Sequence, residues 1–331
     1  MAPSISSAWT QSFPPKPQFT EKDLPDLKGK VYIVSGANTG IGKELSRILY
    51  SKNAKVYIGA RNEEKAKRAI DDIKHAEPKS TGTLVFLHLN LADLTSIKAS
   101  AERFLVAETR LDVLFNNAGY MGPEGKMEKT SHGHEIHLGI NCLGTFLFTK
   151  LLTPVLLTTA ADKATPPNTV RVVFLSSFAT ELFAEKNVGI EMDNLDYHKD
   201  KPSKYRYGIS KAGNWAYAVQ LSKRYKAQGL IGVPVNPGNI RTELFREQSF
   251  LFTLLTGPAK YPIINGAYSE LFAGLSPEVT TERAGDYVVP FGRFYPIRSD
   301  LEAATKSEAE DGNGATQKFW DWSEEQVQGY L

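Results

Sequence analysis

Four apolar residues, Val31-Tyr32-Ile33-Val34, run directly into Ser35-Gly36-Ala37-Asn38-Thr39-Gly40-Ile41-Gly42, and a helical pattern follows from Lys43 to Ser51. This junction constrains the chain more than any other stretch. An unbroken apolar run suits a strand buried on both faces, as in a parallel sheet covered by helices. Glycines between strand and helix let the backbone approach a pyrophosphate, and the helix N-terminus attracts its charge. Alone, the stretch would also read as a plain tight turn, and its spacing is G-x-x-x-G-x-G rather than the more widespread G-x-G-x-x-G.

The rest of the chain repeats the alternation. Strands are expected at Lys55–Gly59, Thr83–Leu89, Leu111–Phe115, Val170–Leu175 and Leu230–Val235, with a last one near Asp286–Val289. Helices are expected over Glu63–Ala76, from a cap at Asp93 to about Glu108, over about Ser131–Leu157, Lys204–Lys226 and Asn265–Gly274, and over Ala315–Tyr330. The pattern predicts an α/β doubly wound parallel sheet in one domain, residues 29–331, with a tail from about 292. Residues 1–28, with prolines at 3, 14, 15, 17 and 25, read as an extended arm, on the surface or partly disordered.

Every polar or glycine-bearing strand end then falls on one edge of the sheet, where open parallel sheets bind ligands. At the second strand end an acidic residue would hold a ribose 2′-hydroxyl; here Ala60 is followed by Arg61. A guanidinium suits a 2′-phosphate, with each charge-assisted bond contributing about 1.5–3 kcal/mol, so the residues predict NADP(H).

Tyr207-Gly208-Ile209-Ser210-Lys211 sets a phenol and an ammonium on one face of a helix. A free tyrosine has a pKa near ~10, and a close cation in a dry pocket favours its anion. The pair therefore predicts a tyrosine that exchanges a proton near neutral pH. An isolated Y-x-x-x-K is also a common core tyrosine with a solvated lysine; the surrounding motifs change that reading.

Taken together, the glycine loop 36–42, Asn117-Ala118-Gly119, Asn141, Ser177, Tyr207-x-x-x-Lys211 and Asn236-Pro237-Gly238 resemble the short-chain dehydrogenase/reductase family over about Lys28 to Gly292. Gly59-Ala60-Arg61, Ile140-Asn141-Cys142-Leu143-Gly144 and the long serine-to-tyrosine gap are similar to the retinol-dehydrogenase and WW-domain oxidoreductase subgroup and related soluble fungal enzymes. The resemblance implies a Rossmann fold. It implies Tyr207 as general acid/base and Lys211 as the residue that lowers its pKa and holds the nicotinamide ribose. Ser177, with Ser176 as its rival, would bond the substrate oxygen, and Asn141 would hold a water linking Lys211 to solvent. Cofactor contacts are implied for Gly36, Asn38, Thr39, Gly40, Ile41, Gly42, Arg61, Asn90, Leu91, Asn117, Ala118, Gly119, Tyr207, Lys211, Pro237, Gly238, Ile240 and Thr242. Asn90 replaces a usual aspartate and Ser35 a usual threonine; an amide oxygen and a hydroxyl can make the same bonds. The family places a substrate lid after the sixth strand, here about 243–258 and rich in Phe and Leu, which suits a large apolar carbonyl or alcohol. Relatives often assemble through the helices holding Asn141 and Tyr207, so a homo-oligomer is expected by analogy.

Composition bounds the partners. A net charge of +2 without a long basic run argues against nucleic acid, and one cysteine, Cys142, suits a reducing compartment. Neither a signal sequence nor a membrane span is expected, because the apolar stretch Gly139–Ala161 is interrupted by Lys150 and Pro154. These readings predict a cytoplasmic protein. His132, His134 and His137 cluster with Glu135 but lack a second ligand group, so no metal is expected, and Cys142 reads as a buried, inert thiol. The competing function is a non-redox enzyme of the same fold, an isomerase or cyclase, or an NADP-binding regulatory protein. The acid/base tyrosine favours the oxidoreductase, since pure binding needs none.

Overall fold

The computed structural model describes residues 2–125, 127–241 and 260–331. The expected lid at about 243–258 and Thr242 lie outside the described residues.

An eight-stranded sheet runs in the order β3-β2-β1-β4-β5-β6-β7-β8. The strands are β1 (Val31–Ser35), β2 (Lys55–Ala60), β3 (Thr83–His88), β4 (Val113–Asn116), β5 (Val170–Leu175), β6 (Leu230–Val235), β7 (Val288–Val289) and β8 (Arg293–Phe294). All pairings are parallel except β7 with β8. Strand order reverses between β1 and β4, and a crevice opens there at the C-terminal strand ends.

Helices cover both faces. On one lie α2 (Gly40–Ser51), α3 (Glu63–Ala76) and α8 (Ile263–Leu275); on the other lie α4 (Leu94–Ala107), α5 (Thr145–Ala161), α7 (Ser203–Tyr225) and the C-terminal α10 (Ala315–Val327). Two of them start at side-chain caps. Asn62 caps α3 by accepting from the Lys65 amide at 2.9 Å, and Asp93 caps α4 through the Thr95 amide at 3.0 Å. Short pieces complete the chain: α1 (Ile5–Ser12), α6 (Ala179–Phe183) and α9 (Ser299–Thr305).

Two expectations change. The arm is not extended throughout: Ser4 caps α1 by accepting from the Ser7 amide, and the prolines flank the helix instead of interrupting it. Its polar residues Ser7 and Gln11 face inward, while Ile5, Trp9 and Phe13 are 90%, 65% and 57% exposed. The helix expected from Ser131 begins later. Residues 130–133 form a turn, Leu138–Gly144 is π-helical, and α5 follows. The combined segment Leu138–Ala161 is long and apolar enough to cross a membrane, but most of it is buried in the core of the fold.

The C-terminal α10 packs on part of α5 and α7, the helices through which a homo-oligomer is expected by analogy. Phe319 stacks on Tyr217 at 5.1 Å, Trp320 meets Phe146 edge-on at 4.8 Å, and Lys150 pairs with Glu324 at 2.6 Å.

Candidate active site

β1 ends in Ser35, whose hydroxyl donates to the Phe115 carbonyl at 3.3 Å and accepts from the Ala118 amide at 3.0 Å. It does the bridging expected of the usual threonine. Gly36 and Gly40 have φ of 68° and 57°, the left-handed region in which a side chain is strained. A Cβ at Gly42 would stand 2.5 Å from Asn117 Nδ2, so only glycine lets the turn close. That amide donates to the Ser35 carbonyl at 2.7 Å. Thr39, at the N-cap of α2, makes no side-chain cap, which leaves the first-turn amides to a ligand.

These residues border a cleft of about 420 Å³. Its walls bring together Gly36, Asn38, Thr39, Gly40, Ile41, Arg61, Asn90, Leu91, Asn117, Ala118, Gly119, Ser177, Tyr207, Lys211, Pro237, Gly238 and Ile240. Of the site residues expected from sequence, the described ones all line it except Gly42, which shapes the turn, and Asn141. Arg61 is exposed and makes no hydrogen bond or ion pair among the described residues. Lys65, one turn into α3, lines the same cleft. Sequence reading passed over Lys65; its position four residues after Arg61, in the first turn of the following helix, was the available signal.

Uncapped amides, glycine backbone and an exposed cation pair suit a dinucleotide bearing an additional phosphate. No described carboxylate among the lining residues would repel it.

Tyr207 and Lys211 rise from α7, the phenol beside Ser177. Burial pushes the Tyr207 pKa up, and the Ser177 hydroxyl pulls it down. The expected lowering by Lys211 is not what this geometry produces. The Lys211 ammonium donates to the Leu175 carbonyl at 2.8 Å and stands 5.7 Å from the centre of the Tyr207 ring. Lys211 is 1% exposed, and burial pushes its pKa down to about 8. The two serines separate in role. Ser176 Oγ donates to the Lys211 carbonyl at 2.9 Å and shares a hydrogen bond with Thr180, whereas Ser177 Oγ accepts from the Ala179 amide at 3.1 Å.

Asn141 lies behind the cleft wall. Its Oδ1 accepts from the Tyr120 amide at 2.7 Å, and its Nδ2 donates to the Tyr120 carbonyl and to Ser210 Oγ, each at 2.9 Å. Both amide hydrogens and one lone pair of the oxygen are engaged, so the side chain clamps Tyr120. Tyr120 and Met121 thereby form a wall that sequence reading missed. His137 braces the same wall. Gly122 N donates to His137 Nε2 at 3.0 Å, so the ring proton sits on Nδ1 and goes to Glu135 at 2.6 Å. His132 instead contacts Asp93 and Tyr330, and His134 packs on Trp322. No metal-binding group of three ligands occurs among the described residues. The Cys142 thiol is buried, donates to the Ser210 carbonyl at 3.1 Å, and has its pKa raised by burial. Tyr205 donates to Glu185 at 2.5 Å and does not line the cleft.

A family model described as short chain dehydrogenase matches residues 30–187. The chain is 51% identical over 329 residues to the short-chain dehydrogenase/reductase bet4 of Neocamarosporium betae, covering 99% of this chain and 94% of the relative. Among solved structures, a 3-ketoacyl-(acyl-carrier-protein) reductase of Brucella melitensis in complex with NADH superposes with a TM-score of 0.60 at 19% identity, covering 79% of this chain and 96% of that one. A short chain dehydrogenase of Shigella flexneri in complex with NADP superposes at 0.51 with 24% identity, covering 68% and 84%. At these identities the superpositions show the fold.

Proposed function

Because this chain belongs to the short-chain dehydrogenase/reductase family, we propose that it interconverts a carbonyl and an alcohol on a fairly large apolar molecule with NADP(H). The observation that carries the reading is one cleft with Ser177, Tyr207 and Lys211 at one part of its wall and Arg61 and Lys65 at another. Two exposed cations where an acid would select a 2′-hydroxyl favour the phosphorylated cofactor.

Gly36, Gly40 and the first turn of α2 would hold the pyrophosphate, and Lys211 the nicotinamide ribose. The bound cofactor supplies or accepts the hydride. In reduction Tyr207 gives its phenolic proton to the substrate oxygen, and in oxidation it takes that proton back. Ser177 donates a hydrogen bond to the same oxygen, strongest when negative charge develops there. Burial raises the phenol pKa, so Tyr207 stands in its protonated form in the neutral range, the form that reduction uses. Tyr120 and Met121 give the substrate an aromatic and a thioether surface.

The test is NADPH oxidation with polycyclic, long-chain and small polar carbonyls, on the wild type and on Tyr207→Phe. Phenylalanine keeps the ring and removes the proton. Turnover should vanish while NADPH affinity stays nearly unchanged. More than a few per cent of wild-type turnover in the variant would remove Tyr207 from the acid/base role.

A further inference from the structure

The N-terminal helix α1 lies outside the span of the family model, yet its polar face is buried against the active-site loops. Gln11 is 4% exposed. Its Nε2 donates to Glu181 Oε1 at 2.8 Å and to Ser7 Oγ at 2.9 Å. Its Oε1 accepts from Asn236 Nδ2 at 2.8 Å. Both amide hydrogens and the carbonyl are thus committed.

Each partner leads to the cleft. Glu181, 0% exposed, sits on α6, and its second oxygen accepts from Ser7 Oγ at 2.8 Å. The arm therefore meets both oxygens of a buried carboxylate four residues after Ser177. The start of α6 is in turn bonded to Ser177, whose Oγ accepts from the Ala179 amide. On the other side, Asn236 Oδ1 accepts from the Gly238 amide at 3.0 Å, closing the turn that borders the cleft. Arg293 donates to Thr10, and Tyr261 to the Ser12 carbonyl, so α1 is anchored independently of Gln11.

We infer that Gln11 is a positioning residue of the active site, tying the loop that carries Ser177 to the turn Asn236–Gly238 by a single amide bonded to both. The functional side of this inference rests on the proposed roles of Ser177 and Pro237–Gly238; the geometric side does not. Burial raises the Glu181 pKa while Ser7 and Gln11 hold it down, in keeping with a carboxylate that depends on the arm.

The experiment compares full-length wild type with Gln11→Met, which keeps the length of the side chain and removes its three bonds. Glu181→Gln serves as the conservative variant, since an amide there can still accept from Gln11 and donate to Ser7. Thr10→Val serves as the control, since it loses an anchor without touching Gln11. Backbone hydrogen exchange is read over 176–183 and 236–241, with the sheet segments 31–35, 55–60 and 113–116 as reference. In Gln11→Met, exchange in the two loops should rise by about tenfold or more and the sheet should not change; Glu181→Gln and Thr10→Val should match wild type. With a carbonyl that the wild type reduces, kcat of Gln11→Met should fall about tenfold while the NADPH dissociation constant stays within about threefold. Unchanged exchange in both loops overturns the inference, and so does faster exchange spread evenly over the whole fold. If the wild type reduces no carbonyl, the proposed function fails, and the exchange comparison still decides the role of Gln11.

Discussion

Lys211 donates its ammonium hydrogen to the Leu175 carbonyl at 2.8 Å and stands 5.7 Å from the Tyr207 ring centre. The cation is bonded to a strand end, not to the phenol. Burial holds its pKa down to about 8, while the phenol is raised. For reduction, the productive free enzyme has both groups protonated. Below about 8 both conditions hold, and above it Lys211 loses its charge first. The value of kcat/KM for carbonyl reduction, which reports the free enzyme, should therefore fall as pH rises through about 8. A profile flat to the point where Tyr207 itself ionises would remove Lys211 charge from the mechanism.

Arg61→Ala should raise the NADPH dissociation constant by about tenfold or more, the equivalent of one charge-assisted phosphate bond of about 1.5–3 kcal/mol. NADH affinity should barely change. Lys65 lines the same cleft, so Arg61→Ala with Lys65→Ala should lose more NADPH affinity than either alone. Titrating both cofactors into the three variants decides it, and equal losses for NADPH and NADH would count against a 2′-phosphate site.

Much of this site was legible because glycine and periodicity report on backbone geometry. The turn at Gly36 and Gly42 needs residues without a Cβ, and β5 and β6 are unbroken apolar runs with sharp polar ends. What escaped depends on partners distant in sequence. The Ser4 cap and the four-residue spacing of Ile5, Trp9 and Phe13 marked α1, but its buried face is polar, and Glu181 and Asn236 lie far along the chain. The clamp on Tyr120 sits on the π-helical Leu138–Gly144, a local geometry that spacing alone does not announce. The Tyr207 pKa is set by burial and by Ser177, while Lys211 finds its acceptor at Leu175, a partner that no spacing rule contains.

The cover that α10 forms over α5 and α7 leads to a third expectation. Assembly through the parts of α5 and α7 that α10 covers would have to displace Phe319 and Trp320, both buried. The protein should therefore sediment as a monomer, or associate through another surface. Trp320→Ala should lower stability by about 3–5 kcal/mol, the usual result of emptying a large aromatic site, and should expose Phe146 and Tyr217. Sedimentation velocity and thermal unfolding of both proteins test this. A wild-type dimer whose Trp320 becomes protected only on association would overturn it.

Glu270 carries the last prediction. It lies on α8, fully buried, and neither carboxyl oxygen has a hydrogen-bond partner among the described residues. The helix face it shares packs inward, on α2, the segment after β6 and β4: a Cβ at Gly266 would meet Ile41 and Ile240, and one at Gly274 would meet Phe115. Burial raises its pKa to about 8, with the Lys211 charge pulling the other way. In the unfolded chain the carboxyl ionises at its ordinary value, while the folded state holds the proton. The folded state thus binds more protons, and its stability falls as pH rises from about 4.5 towards 8, then levels off. At about 1.4 kcal/mol per pKa unit the upper bound is roughly 4–5 kcal/mol. Glu270→Met keeps the volume and removes the titration. Its melting temperature should exceed that of wild type by several degrees at pH 8, and the gap should shrink steadily towards pH 5. A gap independent of pH would mean that Glu270 does not hold its proton in the folded state.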